Sequence, residues 1–118
     1  QYAPVIGIFQ RQKLAGEPLT IVGDGSQKRD FVYVRDVARA NYLASMLPLK
    51  GCNGEVFNVG SGKNYSIQEI ANLISEKQEY LPKRLGEMET TLAGIDKIST
   101  VFGWKPKVDL LEWIKATD

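Results

Sequence analysis

The stretch from Gly23 to Val37 limits what this chain can fold into more than any other. Gly23-Asp24-Gly25-Ser26-Gln27-Lys28-Arg29-Asp30 is a glycine-flanked polar turn that interrupts any regular element. Leu19-Thr20-Ile21-Val22 before it and Phe31-Val32-Tyr33-Val34 after it read as two short strands, and Asp36 stands where a carboxylate caps a helix. Arg29 leaves the turn beside Asp30. That carboxylate is placed to hold the guanidinium fork so that its outer nitrogens face an anion.

Around this centre the chain alternates helix and strand signals. Val5, Ile8 and Phe9 at i, i+3, i+4 spacing, with Pro4 before them and Gly16 after, predict a helix over residues 3–15. A second helix is expected from residue 37 towards 47, with Ala40, Leu43, Ala44 and Leu47 on its apolar face and Pro48 as its stop. Gly51-Cys52-Asn53-Gly54 reads as a surface loop and Glu55-Val56-Phe57-Asn58-Val59 as a buried strand. Ser66-Ile67-Gln68-Glu69 is a capping box, and Ile67, Ile70, Ala71 and Ile74 continue it at helical spacing. Residues 83–92 read as extended, residues 96–102 as a short helix with Gly103 beyond its end, and Asp109 as the start of a last helix.

This order predicts an α/β or α+β fold of several helices with a few short strands. With 118 residues, 43% of them hydrophobic and 25% charged, one globular domain is expected over residues 1–118. A net charge near +1 without a run of basic residues gives no footprint for nucleic acid or an anionic membrane, so any bound anion must be met locally. One cysteine, Cys52, and no histidine exclude an internal disulfide and a cysteine/histidine metal site. No segment approaches the roughly 20 apolar residues of a membrane span, which predicts a soluble, cytoplasmic chain.

Residues 19–34 resemble a stretch of the nucleotide-sugar epimerases and dehydratases, the extended short-chain dehydrogenase/reductases. So do Val56-Phe57-Asn58-Val59-Gly60-Ser61-Gly62, Ser66-Ile67-Gln68-Glu69-Ile70, Arg84-Leu85-Gly86-Glu87 and Phe102-Gly103-Trp104-Lys105-Pro106. The order matches the C-terminal, substrate-binding part of that family over almost the whole chain, most like the UDP-glucose 4-epimerase type. The resemblance implies that residues 56–59 join a dinucleotide-binding sheet supplied by an N-terminal Rossmann domain that this chain lacks. A truncated product is therefore expected, and the first residue, Gln1, agrees. The surface left by the missing domain is expected to support self-association.

The chemistry of the family divides accordingly. A nicotinamide cofactor needs a glycine-rich turn at a helix N-terminus, but the third position of G-x-G-x-x-G is Lys28 after Gly23/Gly25 and Tyr65 after Gly60/Gly62. The family's acid/base pair is a tyrosine with lysine four residues later. The residues four after the five tyrosines are Ile6, Val37, Met46, Glu69 and Arg84. No catalytic residue is assigned, NAD is expected for the intact parent only, and the isolated chain is expected to be inactive.

What remains is binding chemistry for a UDP- or dTDP-sugar. By resemblance Arg29 and Arg84 are the two diphosphate-binding arginines. Thr20 and Val22 offer main-chain groups to the pyrimidine, Glu87 stands where the family places an aspartate near the ribose, and Val5 lies near the diphosphate at the start of the first helix. A dTDP-glucose dehydratase and a free-standing protein-interaction module are the competing readings.

Overall fold

A computed structural model describes residues 4–46 and 54–117. Pro48 and the loop around Cys52 lie outside the described residues, as do Gln1 and Leu47. The chain divides into two compact units. One holds described residues 4–29, 65–91 and 114–117, the other described residues 30–46, 54–64 and 92–113.

The first unit contains α1 (Val5–Leu14), β1 (Leu19–Val22) and β2 (Lys28–Arg29). Later in the chain it adds a two-residue strand, β3 (Tyr65–Ser66), then helix α3 (Ile67–Ile74) and β4 (Gln78–Leu81). Pro4 precedes α1, and the Glu17 N–H returns to the Gln12 carbonyl at 2.9 Å to close its end. The capping box is formed in full: Ser66 accepts from the Glu69 N–H, and the Glu69 carboxylate accepts from the Ser66 N–H, both at 3.0 Å. The apolar stripe of α3 then lies buried at Ile67, Ile70, Ala71 and Ile74, with Phe9 of α1 and Leu19 and Ile21 of β1. β1 pairs in parallel with β4, Leu19 opposite Gln78 and Val22 opposite Leu81, while β2 pairs antiparallel with β3.

The second unit is built around α2 (Val34–Met46) and α4 (Asp96–Phe102). Ala40, Ile98 and Trp104 form its buried centre, with Val32, Leu43, Phe57, Val59 and Phe102 packed around them. Gly103 ends α4 in the left-handed conformation at φ 68°, where a side chain would be strained. Helix α5 (Leu110–Ala116) begins with its Glu112 N–H donating to the Asp109 carboxylate at 3.3 Å.

Three expectations need correcting. Residues 31–34 are not a strand: β2 ends at Arg29 and α2 begins at Val34, because the Tyr33 carbonyl accepts from the N–H groups of Asp36 and Val37 and starts the helix early. Asp36 is consequently inside the first turn rather than at its cap, and its buried carboxylate accepts instead from the N–H groups of Lys107 and Val108. Residues 56–59 form no strand, since no described strand pairs with them. They remain alternating, Val56 79% exposed and Phe57 and Val59 turned into the core. β4 was not foreseen, because its Gln78-Glu79-Tyr80-Leu81 has no apolar period and is drawn into extended form by pairing with β1. No described helix is long and apolar enough to cross a membrane.

Candidate functional site

The glycine turn after β1 is shaped by what cannot fit there. Gly23 and Gly25 lie at φ 68° and 76°, and a Cβ on Gly25 would stand 3.0 Å from Ile21 and 3.1 Å from Gln68. Between them the Asp24 carboxylate accepts from the Ser26 hydroxyl at 2.6 Å and the Ser26 N–H at 2.9 Å. The hydroxyl bond foremost, then the N–H bond, holds the Asp24 carboxyl below its ordinary range, with Lys83 adding a smaller attraction.

Opposite this turn runs the segment that follows β4. It is tied at its far end to β2, where the Lys28 N–H donates to the Glu89 carbonyl at 2.7 Å and the Thr91 N–H to the Lys28 carbonyl at 3.0 Å. Between turn and segment lies a cavity of about 420 Å³. Val22, Gly23, Asp24 and Gln27 line it from the turn, and Lys83, Glu87, Met88 and Glu89 from the segment. Three carboxylates against one ammonium make this lining suited to hydroxyl and N–H donors rather than to phosphate oxygens.

The structure unites some of the residues singled out by sequence and separates others. Arg29 lies beside Glu87, its Nη2 3.6 Å from Oε1, while its Nη1 donates to the Lys28 carbonyl at 2.8 Å. Glu87 and Val22 line the cavity, whereas Arg84 is exposed on the segment outside the lining. Thr20 stands on β1 with its N–H donated to Gln12 Oε1 at 3.1 Å and its hydroxyl accepting from Gln12 Nε2 at 2.9 Å. Val5 is the half-buried first residue of α1 and does not line the cavity.

Asp30 has a duty that sequence reasoning missed. Its carboxylate accepts from the N–H groups of Ser61, Gly62 and Ala93 at 2.8–3.0 Å and from the Ser61 hydroxyl at 2.5 Å. The N–H groups of Ser61 and Gly62 are thus engaged by the chain's own carboxylate, and a Cβ on Gly60 would meet the Ala93 Cβ at 2.4 Å. The chain after Gly25 leads into β2 and that after Gly62 into β3, so neither glycine pair opens directly into a helix. The residues present do not fit a dinucleotide diphosphate at either pair.

Gln12, Gln27, Lys83, Met88 and Glu89 were also missed. Gln27, beside the glycine turn, had a positional signal; its Nε2 donates to the Val22 carbonyl at 3.0 Å. For Gln12 there was none, since its relation to Thr20 exists only once α1 packs on β1.

The sequence pattern of the NAD dependent epimerase/dehydratase family matches residues 2–60. A putative UDP-glucose 4-epimerase of Methanocaldococcus jannaschii is 39% identical over 96% of this chain and 37% of its own length. Among solved structures, the Thermotoga maritima UDP-glucose 4-epimerase with UDP-glucose superposes with a TM-score of 0.88 at 36% identity, covering 99% of this chain and 38% of that one. The Bacillus cereus UDP-glucuronic acid 4-epimerase in complex with UDP-glucuronic acid and NAD gives 0.88 at 34% identity, covering 96% and 38%. The chain therefore spans less than two fifths of the length of each protein it is compared with here.

Proposed function

This chain belongs to the NAD dependent epimerase/dehydratase family, and from that premise we propose that it holds the nucleoside diphosphate of a UDP-sugar as the C-terminal part of a sugar 4-epimerase. The observation that carries the reading is the acidic cavity between the glycine turn and the segment after β4, whose lining residue Glu87 is paired to Arg29 outside the lining. Carboxylates and amide groups suit a base and a hydroxyl-rich ribose, and the guanidinium suits the phosphates that follow.

In this reading residues 1–118 act as one nucleotide-sugar-binding domain. Glu87 accepts a ribose hydroxyl, Arg29 turns its free donors to the diphosphate, and Arg84 reaches the same anion from the exposed segment. NAD, which supplies hydride transfer at the sugar when bound, is held by the remainder of the intact parent, as is the Tyr/Lys acid/base pair. The work of this chain is to fix the nucleotide handle. Binding energy from that remote handle orients the reacting carbon, so its loss lowers turnover as well as affinity.

The test is ligand-detected NMR of the chain with UDP, UDP-glucose and dTDP, repeated on Arg29→Ala. Uridine nucleotides are expected to bind, and the substitution to abolish the signal. Binding that Arg29→Ala leaves unchanged would overturn the assignment of Arg29. Turnover of UDP-glucose by this chain with added NAD would overturn the division of labour.

A further inference from the structure

Parallel pairing uses alternate residues of β1. The Leu19 N–H donates to the Lys77 carbonyl and the Gly23 N–H to the Leu81 carbonyl, both at 2.8 Å. Leu19, Ile21 and Gly23 therefore face β4, and the main-chain groups of Thr20 and Val22 face the strand's other edge. Such an edge presents four groups in order: the Thr20 N–H and C=O, then the Val22 N–H and C=O. A planar ring carrying one donor and one acceptor can settle on four alternating groups in more than one register, just as an added strand can slip.

Here the two outer groups are already taken, each by a glutamine. The Gln12 amide closes on Thr20 from both sides, Oε1 receiving the N–H at 3.1 Å and Nε2 donating to the hydroxyl at 2.9 Å. Gln27 Nε2 donates to the Val22 carbonyl at 3.0 Å. Among the described residues, what stays open on this edge is one acceptor followed by one donor, and of the two residues only Val22 lines the cavity.

We infer that Gln12 is a positioning residue for the base: by occupying the Thr20 N–H it leaves the Val22 N–H as the strand donor that a pyrimidine meets, and so selects a single register on β1. The inference rests on the nucleotide reading above. A slip by two residues would displace the base by roughly 7 Å along the strand and carry the phosphates away from Arg29. Gln12 lies on α1, outside the cavity lining, and acts through Thr20.

The test is the amide spectrum of the full chain titrated with UDP, for the wild type, Gln12→Met and Gln12→Glu. In the wild type UDP is expected to shift the Val22 amide strongly and leave the Thr20 amide in place. Gln12→Met frees the Thr20 N–H, so UDP is expected to shift both amides. Gln12→Glu keeps an acceptor on Thr20 and should restore the wild-type pattern, a rescue that a purely structural role for the amide group would not produce. A wild-type Thr20 amide that responds as strongly as Val22, or a Thr20 response unchanged in Gln12→Met, overturns the inference. UDP that shifts no amide of the wild type overturns the nucleotide reading itself and this inference with it.

Discussion

The indole N–H of Trp104 donates to the main-chain carbonyl of Asp36 at 2.9 Å, and both residues are buried, Trp104 completely. The Asp36 carboxylate meanwhile accepts from the Lys107 N–H at 3.0 Å, the Val108 N–H at 3.2 Å and the Arg39 guanidinium at 3.2 Å. Arg39 also donates to the Lys105 carbonyl and stands over the Trp104 ring, 5.6 Å from its centroid. One aspartate thus fixes the chain after α4 to the first turn of α2.

Removing that carboxylate leaves two part-buried N–H groups and a guanidinium without this acceptor. Asp36→Ala is expected to destabilise the protein by about 2–4 kcal/mol, read from urea unfolding. Asp36→Asn keeps one acceptor oxygen and should cost less than half as much. Equal losses for the two variants would contradict the role given to the acceptor oxygen.

Gly60 offers a test of packing at a single contact. Its backbone is not at positive φ, so alanine is resisted there mainly by the Ala93 Cβ 2.4 Å away and the Asp30 carboxylate 3.1 Å away. Gly60→Ala is expected to cost about 1–3 kcal/mol. Adding Ala93→Gly removes the nearest atom, and the double variant should recover roughly 1 kcal/mol relative to the sum of the single effects in a denaturation cycle. Strict additivity would show that the clash is relieved elsewhere.

Arg29 separates binding from stability. Its ion pair with Glu87 is at 3.6 Å and partly exposed, a class of contact that contributes at most about 1 kcal/mol. A charge-assisted bond to a diphosphate contributes about 1.5–3 kcal/mol. Arg29→Ala should therefore weaken UDP binding roughly 10- to 100-fold in calorimetry while shifting the unfolding midpoint little. A large loss of stability with unchanged affinity would reverse the assignment.

The glycine turn has its own titration. The folded Asp24 carboxyl lies below the ordinary value of 3.8 because its ionised form accepts from Ser26. The sign follows from the depressed folded value: the contribution is present above the unfolded pKa and is lost as pH falls through the folded one. A carboxyl NMR titration should give a midpoint below that of an unstructured aspartate, and Ser26→Ala should raise it. An unmoved midpoint would show that the hydroxyl bond is not formed in solution.

Sequence revealed those parts of the fold whose causes are local. Ser66 and Glu69 lie three residues apart and cap each other whatever surrounds them; Gly103 marks the end of α4 and Asp109 the start of α5 for the same reason. Gln78 to Leu81 became a strand only through β1, and residues 56–59 failed to become one for want of a pairing partner. The candidate site divides in the same way. Arg29 and Glu87 were legible from the motifs around them, while their proximity, the occupied Thr20 N–H and the position of Lys83 in the cavity arise from long-range packing.

The segment after β4 is anchored at both ends, by β1 at Leu81 and by Lys28 at Glu89 and Thr91. Closing that loop costs entropy once, when the chain folds, and the cost does not recur with each ligand. In the proposed function Arg84 and Glu87 therefore stand on a span held by hydrogen bonds at both ends, and the ordering left to a bound nucleotide is that of a few side chains. In that function, lengthening the span between Pro82 and Met88 would leave both anchors intact and still weaken nucleotide binding, because the new freedom would have to be removed at every binding event.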